Sequence, residues 1–365
     1  MLPEAGRQLT RHRWLEQPTT VSNPAVIVTA LDRLWYLNGL GVSSWDVSGL
    51  HSDRQKRLVL PAGLPAVDTY RRVFEKLNVT RFNACLMAWM QEVLPADRAG
   101  QLCVDGKTLC GTGARPLHVV SAVASASGLI LGQVAGQGKG QELGAVPELL
   151  ALLDLRGALV SLDALSCQPH VAQQITDQGG DYLLGLKANQ PPLLAEAERH
   201  TAALPASQAH TRWAYASDGE PVRYQVWTQA DLRWVDEQGR WPGLHTLIRV
   251  ETSRYPKQGQ PEPMGQQRYY ISSRALTPVQ ADGFVRGHWA IENALHWQLD
   301  VTFGEDDHQL RHHQAAQNLT LVRKMALNLL KQDPTKRSIK NNRTRLAWDE
   351  PFLERLLAAL CQPAT

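Results

Sequence analysis

Residues 157–163 read GALVSLD, a run of mostly apolar residues that leads directly into a carboxylate. Residues 102–107 read LCVDGK, a second short apolar run that also ends on an aspartate. Short apolar runs of this kind are typical of buried strands in a sheet that helices cover on its faces. The two stretches therefore predict two strands of one sheet, which end on Asp105 and Asp163.

The elements around these two strands follow in a definite order: three strands, a helix, a strand, a helix, a strand and a helix. Their predicted bounds are 102–107, 117–124, 129–135, 142–153, 157–162, 169–178, 182–186 and 190–203. No Gly-rich first turn is present, which argues against a doubly wound nucleotide-binding fold. A hairpin followed by α/β crossovers is the strand order of the ribonuclease-H-like fold, so we predict an α/β protein with a mixed sheet flanked by helices.

The rest of the chain extends this core in both directions. Apolar residues recur at helical spacing between 69 and 93, with a break at residues 78–80. Candidate strands at 222–228, 245–251 and 268–272 indicate a β-rich segment before the chain returns to helices. The predicted divisions are an N-terminal helical region (1–98), the first part of the catalytic core (99–214), a β-rich insertion (215–276), core helices (277–332) and a basic C-terminal helical tail (333–365).

Composition narrows the class of protein. The 365 residues are 43% hydrophobic and 20% charged, as in folded globular proteins. Five cysteines without a C-x-x-C pair argue against a zinc knuckle or a disulfide framework. No apolar run approaches the roughly 20 residues that span a bilayer, and no signal peptide is visible. We therefore predict a cytoplasmic protein of bacterial type without a membrane partner.

The distribution of charge is more informative than the net charge of +3. Eight lysines and arginines lie between Arg323 and Arg345, interrupted by one acid, Asp333. Such a stretch suits a nucleic-acid backbone, because neutralising phosphates releases counterions. A solvated basic tail without a specific partner is the alternative.

Two carboxylates at one edge of a sheet suggest metal chemistry on phosphodiesters. Two Mg²⁺ ions about 4 Å apart can activate a water or a hydroxyl group and stabilise the leaving oxygen. Glu292 is the candidate for a third carboxylate, with His288 and His296 four residues to either side and so on the same helical face. An ordinary surface face is the alternative for Glu292, and Glu305 competes for the third position.

Five segments, in order and at fitting distances, resemble the insertion-sequence transposases of the ISAs type. This family belongs to the DDE class and includes the H-repeat-associated proteins. The matching segments are VDGKTL (104–109), LVSLDA (159–164), GDYLLGLKANQ (180–190), RYYISS (268–273) and HWAIENALHWQLDV (288–301).

The resemblance implies a ribonuclease-H-like core with a β-rich insertion between the second aspartate and the glutamate. It implies Asp105, Asp163 and Glu292 as catalytic and metal-binding residues, with Mg²⁺ as cofactor and Mn²⁺ as a substitute. It further implies a DNA transposase with endonuclease and strand-transfer activity. The expected partners are double-stranded DNA, both terminal inverted repeats and target, and a second copy of the chain in a homodimer.

Candidate DNA-contacting residues accompany this triad: Lys107, Lys187, Asn189, His288, Arg323 and Lys324. A surface lysine is the alternative for Lys107, and a capping or turn role is the alternative for Asn189. The chain departs from the family at residues 218–223, DGEPVR, where relatives carry a His-Gly-Arg run followed by Glu. Two alternative functions therefore stay open: a catalytically degenerate copy that binds DNA as a repressor, and a metal-dependent nuclease on the same fold.

Overall fold

The computed structural model describes residues 67–93, 100–112, 116–136, 142–232, 239–255, 265–307, 310–335, 337–346 and 348–359. Helices and strands are numbered over these residues alone. Within the predicted N-terminal region 1–98, residues 1–66 and 94–98 lie outside the described residues. None of the described helices is both long enough and apolar enough to cross a membrane.

The described chain is an α/β structure. The strands are β1 (Gln101–Leu109), β2 (Leu117–Ala124), β3 (Ile130–Gly136), β4 (Leu159–Leu162), β5 (Asp181–Leu186), β6 (His210–Tyr215), β7 (Pro221–Gln229), β8 (Thr246–Arg254) and β9 (Gln266–Ser272). The helices are α1 (Val67–Lys76), α2 (Val79–Val93), α3 (Glu142–Ala151), α4 (Pro169–Asp177), α5 (Pro191–Ala202), α6 (Pro278–Ile291), α7 (His313–Lys331), α8 (Ile339–Leu346) and α9 (Glu350–Ala359).

The nine described strands form one mixed sheet in the order β3-β2-β1-β4-β5-β9-β8-β7-β6. Strands β1, β4 and β5 are parallel, whereas β2 and β3 form an antiparallel hairpin. Strand β9 pairs antiparallel with β5, and β8, β7 and β6 continue the sheet in antiparallel fashion. The strands of the predicted β-rich insertion therefore extend the central sheet.

Helix α6 packs on this sheet and begins with strong local signals. Thr277 and Gln280 form a reciprocal capping box, and Pro278 occupies the first turn, where its missing N–H costs nothing. Val285 of this helix is buried with Leu159 of β4 in an apolar cluster. The other buried members of the cluster are Leu183, Val226, Ile248, Val250, Tyr270, Leu276 and Ala281. This cluster fixes α6 against the central strands.

The predicted elements are largely confirmed, with two differences. Strand β6 begins at His210, before the predicted start of the β-rich segment, because its less exposed residues, His210, Arg212 and Ala214, form no apolar pattern. The first helix of the predicted core region 277–332 begins at Pro278 and changes character at Glu292. From there it continues as the π-helical segments Glu292–His296 and Gln298–Thr302.

The chain divides into two compact units. One contains the described residues of 96–108 and 118–295, and so nearly the whole sheet with α3 to α6. The other contains the described residues of 1–95, 109–117 and 296–365, in which α7 packs against α1, α2, α8 and α9. The three predicted carboxylates, Asp105, Asp163 and Glu292, belong to the first of these units.

Candidate active site at the edge of the central sheet

Asp105 and Asp163 lie at the same level on neighbouring parallel strands. The pairing of β1 with β4 is in register from Gln101 opposite Leu159 to Val104 opposite Leu162. Asp105 follows Val104 within β1, and Asp163 is the first residue after β4. Both side chains are partly buried. Parallel strands lie about 4.8 Å apart, so the sheet places the two carboxylates side by side.

Polar contacts show which face of the sheet these aspartates share. The Gln101 side-chain amide donates to Ser161 Oγ at 2.9 Å and to the carbonyl oxygen of Phe284 in α6 at 2.7 Å. The Cys103 thiol donates to the carbonyl oxygen of Gly287 at 3.3 Å. Residues two apart on a strand point to the same face. Asp105 therefore lies on the α6 face of the sheet, beyond Gln101 and Cys103.

Gly287 permits this close approach of α6 to the sheet. A Cβ atom at position 287 would overlap the side-chain oxygen of Gln101 and lie 2.8 Å from Ser125 Oγ. Any other residue would push the helix outward or displace the buried Gln101 amide. The glycine thus sets the distance between α6 and the two strands that carry the aspartates.

The contacts also show how far along β1 the third carboxylate lies. From Phe284 to Glu292, eight residues of helix rise about 12 Å. From Gln101 to Asp105, four residues of strand rise about 13 Å. Because Gln101 contacts Phe284 and Cys103 contacts Gly287, helix and strand run in the same direction. These two rises therefore predict Glu292 near the level of Asp105.

Glu292 is exposed, whereas His288, one turn earlier, is buried. His288 Nδ1 lies 3.1 Å from Ser161 Oγ and joins the Gln101 network beneath the helix. His288 and Glu292 therefore differ in exposure, although they lie four residues apart along the helix. The prediction that His288 contacts DNA phosphate is disfavoured, since its ring lies in the interior. Glu292 is also the first residue of a π-helical segment, a distortion frequent at functional sites.

Burial lowers the pKa of His288 below its ordinary value, and the nearby Asp105 carboxylate offsets this effect in part. As the pH falls below about 6.5, the unfolded chain takes up this proton before the folded chain does. We therefore expect the stability contributed by neutral His288 to be complete above pH 6.5 and to be lost as the pH falls towards its lower folded pKa. In urea unfolding from pH 8 to pH 5, His288→Gln should flatten the acid limb of the stability curve. Parallel curves for both proteins would contradict this expectation.

The predicted DNA contacts Lys107 and Lys187 remain accessible. Lys107 is partly buried and lies two residues beyond Asp105 on the same face of β1. Lys187 is exposed directly after β5. The side chain of Asn189 turns back to the protein, where its amide donates to the carbonyl oxygen of Ala164. The turn role left open for Asn189 therefore has direct support.

Arg323 and Lys324 lie in α7 and are only 3% and 2% exposed. This burial argues against the predicted phosphate contacts, because neither cation is presented at the surface. Burial lowers the pKa of Arg323, and the charge of Glu305, 3.9 Å away, partly restores it. Glu305 itself is fully buried. The competitor for the third carboxylate thus pairs with an interior arginine, which favours Glu292 for that position.

The donor set at the sheet edge consists of oxygen ligands, as Mg²⁺ prefers. Among the described residues, no three side chains of His, Cys, Asp or Glu are gathered closely enough to hold a metal ion. The structure brings the two aspartates together through strand register.

Three residues shape the site, but the sequence did not predict this role for them: Gln101, Ser161 and Gly287. Ser161 is the only polar residue in the apolar run of β4 and stands two residues before Asp163. A polar residue on that face of a buried strand was the available signal. Gln101 and Gly287 carry no local signal, because their role depends on contacts across about 185 residues of chain.

Comparison with known proteins places the chain in a family. Residues 98–329 match the family described as "Transposase DDE domain". The "H repeat-associated putative transposase YhhI" of Escherichia coli (strain K12) is 32% identical over 307 residues, which cover 81% of each chain. The "Putative transposase YncI" of Escherichia coli O157:H7 is 33% identical over 313 residues, or 81% of this chain and 79% of that one.

A solved structure, the "Cryo-EM structure of piggyBac transposase synaptic complex with hairpin DNA (SNHP)", aligns over 93% of this chain and 73% of that chain. Its 10% identity and TM-score of 0.41 are too low to carry an argument about fold or ligand. The family match covers both aspartates and Glu292, and the relatives span most of the chain. With the resemblance found in the sequence thus confirmed, the chain belongs to the DDE transposase family.

Proposed function

We propose that this chain is an active DNA transposase, which cuts and joins DNA at insertion-sequence ends with divalent metal ions held by Asp105, Asp163 and Glu292. The observation that carries this proposal is the register of β1 with β4, which sets Asp105 beside Asp163. The contacts of Gln101 and Cys103 with α6 support a position of Glu292 near the level of Asp105. The membership of the DDE family supports the same assignment.

We further propose that the core is ribonuclease-H-like. The supporting features are the β2–β3 hairpin, the parallel strands β1, β4 and β5, and the helices that follow β3, β4 and β5. In this core the site lies where parallel strands end, and the sheet continues beyond β5 through the strands of the insertion. The insertion would then brace α6, since α6 packs on β6, β7 and β8.

The residues present fit Mg²⁺, with Mn²⁺ as a substitute, because three carboxylates would supply hard oxygen ligands and leave positions for water. When bound, two such ions supply an activated water or 3′-hydroxyl and stabilise the leaving oxygen. The protein would contribute orientation and charge. Asp105 and Asp163 are held by the sheet, and neutral His288 supports the helix from below without adding charge. Lys107, on the Asp105 face of β1, would contact a phosphate of the bound strand, as would the exposed Lys187.

The proposed substrate is double-stranded DNA, both as the terminal inverted repeats of the element and as target. Hydrolysis would free a 3′-hydroxyl at each end, and that hydroxyl would then attack a target phosphodiester. Positioning would account for much of the rate, as in other phosphoryl transfers. Two ends must be joined in one event, so a homodimer with two-fold symmetry is the simplest assembly.

Cleavage of labelled DNA that carries the element's own ends tests this proposal. We expect nicking at the element boundary that requires Mg²⁺ or Mn²⁺ and falls by about 10³-fold or more in Asp163→Asn, because a lost metal ligand removes several kcal/mol of transition-state stabilisation. Band-shift affinity for the ends should persist in the variant. A wild-type protein that binds the ends without cutting them would favour a degenerate repressor. Metal-dependent cutting that ignores the end sequence would favour a cellular nuclease.

A further inference from the structure

The loop that follows Asp163, residues 164–168, is held from the next loop of the sheet by two amide side chains. Asn189 Nδ2 donates to the carbonyl oxygen of Ala164 at 2.5 Å. Gln190 Nε2 donates to the carbonyl oxygen of Cys167 at 2.9 Å, and Gln168 Oε1 lies 3.4 Å from the same nitrogen. Asn189 and Gln190 are consecutive residues between β5 and α5. Together they clamp both ends of the loop, which we term the Asp163 loop.

Strand β5 also packs closely against the Asp163 loop. A Cβ atom at Gly185 of β5 would lie 3.1 Å from the Ala164 nitrogen and 3.4 Å from the Asp163 carbonyl carbon. Cys167 is fully buried, and this burial, with the nearby Asp163 carboxylate, raises the pKa of its thiol to about 12. The thiol therefore stays neutral and acts as an apolar anchor.

The clamp matters because regular pairing stops just before the aspartate. Leu162 is the last residue of β4 in register with both Val104 of β1 and Leu184 of β5. Beyond Leu162, the backbone of the Asp163 loop is held by its own turn and by the two amides. Within the turn, the Ser166 N–H donates to Asp163 Oδ1 at 3.2 Å, which orients the carboxylate directly.

We propose that Asn189 and Gln190 are positioning residues, which hold the Asp163 loop so that the Asp163 carboxylate is oriented for a divalent metal ion. The inference rests on the proposed function and reassigns Asn189 from DNA contact to support of the metal site. Hydrogen-bond partners behind metal ligands typically contribute about 10- to 100-fold to metal affinity or activity. The neighbouring Lys187 keeps its proposed DNA contact.

The test compares Asn189→Ala and Gln190→Ala with Gln174→Ala. Gln174 Nε2, in α4, makes the same kind of bond, to the carbonyl oxygen of Pro147 in α3 at 2.8 Å, and this carbonyl lies outside the Asp163 loop. Mn²⁺ binding to the DNA-free protein is measured by the EPR signal of free Mn²⁺, with Asp163→Asn as the reference for a lost ligand. Band shifts report affinity for DNA ends, and thermal unfolding reports stability.

We expect Asn189→Ala and Gln190→Ala each to weaken Mn²⁺ binding by about 10-fold, with end-binding affinity unchanged. Cleavage should fall at low Mn²⁺ and recover at high Mn²⁺, a rescue that simple loss of folded protein would not give. Gln174→Ala should leave Mn²⁺ binding and cleavage at wild-type levels.

Four results would overturn the inference. Unchanged Mn²⁺ binding with weaker end binding would return Asn189 to the DNA interface. If Gln174→Ala loses as much Mn²⁺ binding and cleavage as the other two variants, the losses reflect a general decrease in protein stability. If the wild type binds Mn²⁺ and cuts DNA, and both alanine variants do so equally well, the proposed role of Asn189 and Gln190 is wrong while the proposed function stands. A wild type that neither binds Mn²⁺ through Asp163 nor cuts would overturn the proposed function as well, so the two failures are distinguishable.

Discussion

Replacing Glu292 with Gln is expected to lower the rate of DNA end cleavage by about 10³-fold or more, with little change in the free energy of unfolding. The amide keeps the shape of the side chain but removes the negative charge that a metal ligand needs, a loss of several kcal/mol in transition-state stabilisation. The Glu292 side chain is exposed. Substitutions at exposed positions usually change stability by no more than about 0.5 kcal/mol.

The same chemical change at Glu305 is the matched control for Glu292→Gln. Both variants are assayed for cleavage at a temperature where each remains folded, as judged by circular dichroism. Cleavage should be lost in Glu292→Gln and retained in Glu305→Gln. The opposite pattern would assign the third carboxylate to Glu305 and would refute the alignment of Glu292 with Asp105.

Replacing Glu305 with Gln is expected instead to lower the free energy of unfolding by about 3 kcal/mol. Glu305 is fully buried, and its carboxylate lies 3.9 Å from the guanidinium of Arg323, which is 3% exposed. Removing one partner of a buried pair leaves the other charge uncompensated, which typically costs about 3 to 5 kcal/mol. Because the two charged groups of this pair are far apart for an ion pair, we expect a loss of stability at the lower end of this range.

Two further variants make the stability prediction specific. Asp306 is exposed in the same acidic run, so Asp306→Asn should change the unfolding free energy by no more than about 0.5 kcal/mol. The double variant Glu305→Gln with Arg323→Met removes both charges of this pair, so part of the lost stability should return. Additive losses of the two single variants in urea unfolding would show that the pair is not coupled.

Local patterns were sufficient to predict most of the elements. The run of residues 157–162 and the helical spacing in 69–93 reflect short-range preferences of the chain, and both elements are found. Strand β6 was missed because an edge strand with Trp213 and Tyr215 exposed does not need an apolar face. The π-helical turn at Glu292 was missed because both helix types use the same kinds of residue.

Chemistry that depends on long-range packing could not be predicted in the same way. The sequence predicted surface positions for three cationic residues, because a polar residue in a helix is usually exposed. These residues are His288, Arg323 and Lys324. Each is buried by neighbours that sequence spacing does not reveal, with Ser161 as the partner of His288 and Glu305 as that of Arg323. Asn189 was predicted to contact DNA, although its amide holds the Asp163 loop.

The sequence by itself determined which carboxylates are the candidates, since Asp105 and Asp163 each follow an apolar run and Glu292 lies in a family motif. It also determined the order of strands and helices around them, because element type follows from local periodicity and turn chemistry. The tertiary structure alone decided which face the aspartates share, how closely α6 approaches at Gly287, and which of two glutamates is accessible. Those outcomes depend on contacts between residues far apart in the chain, where burial and register are set by the packing of the whole sheet.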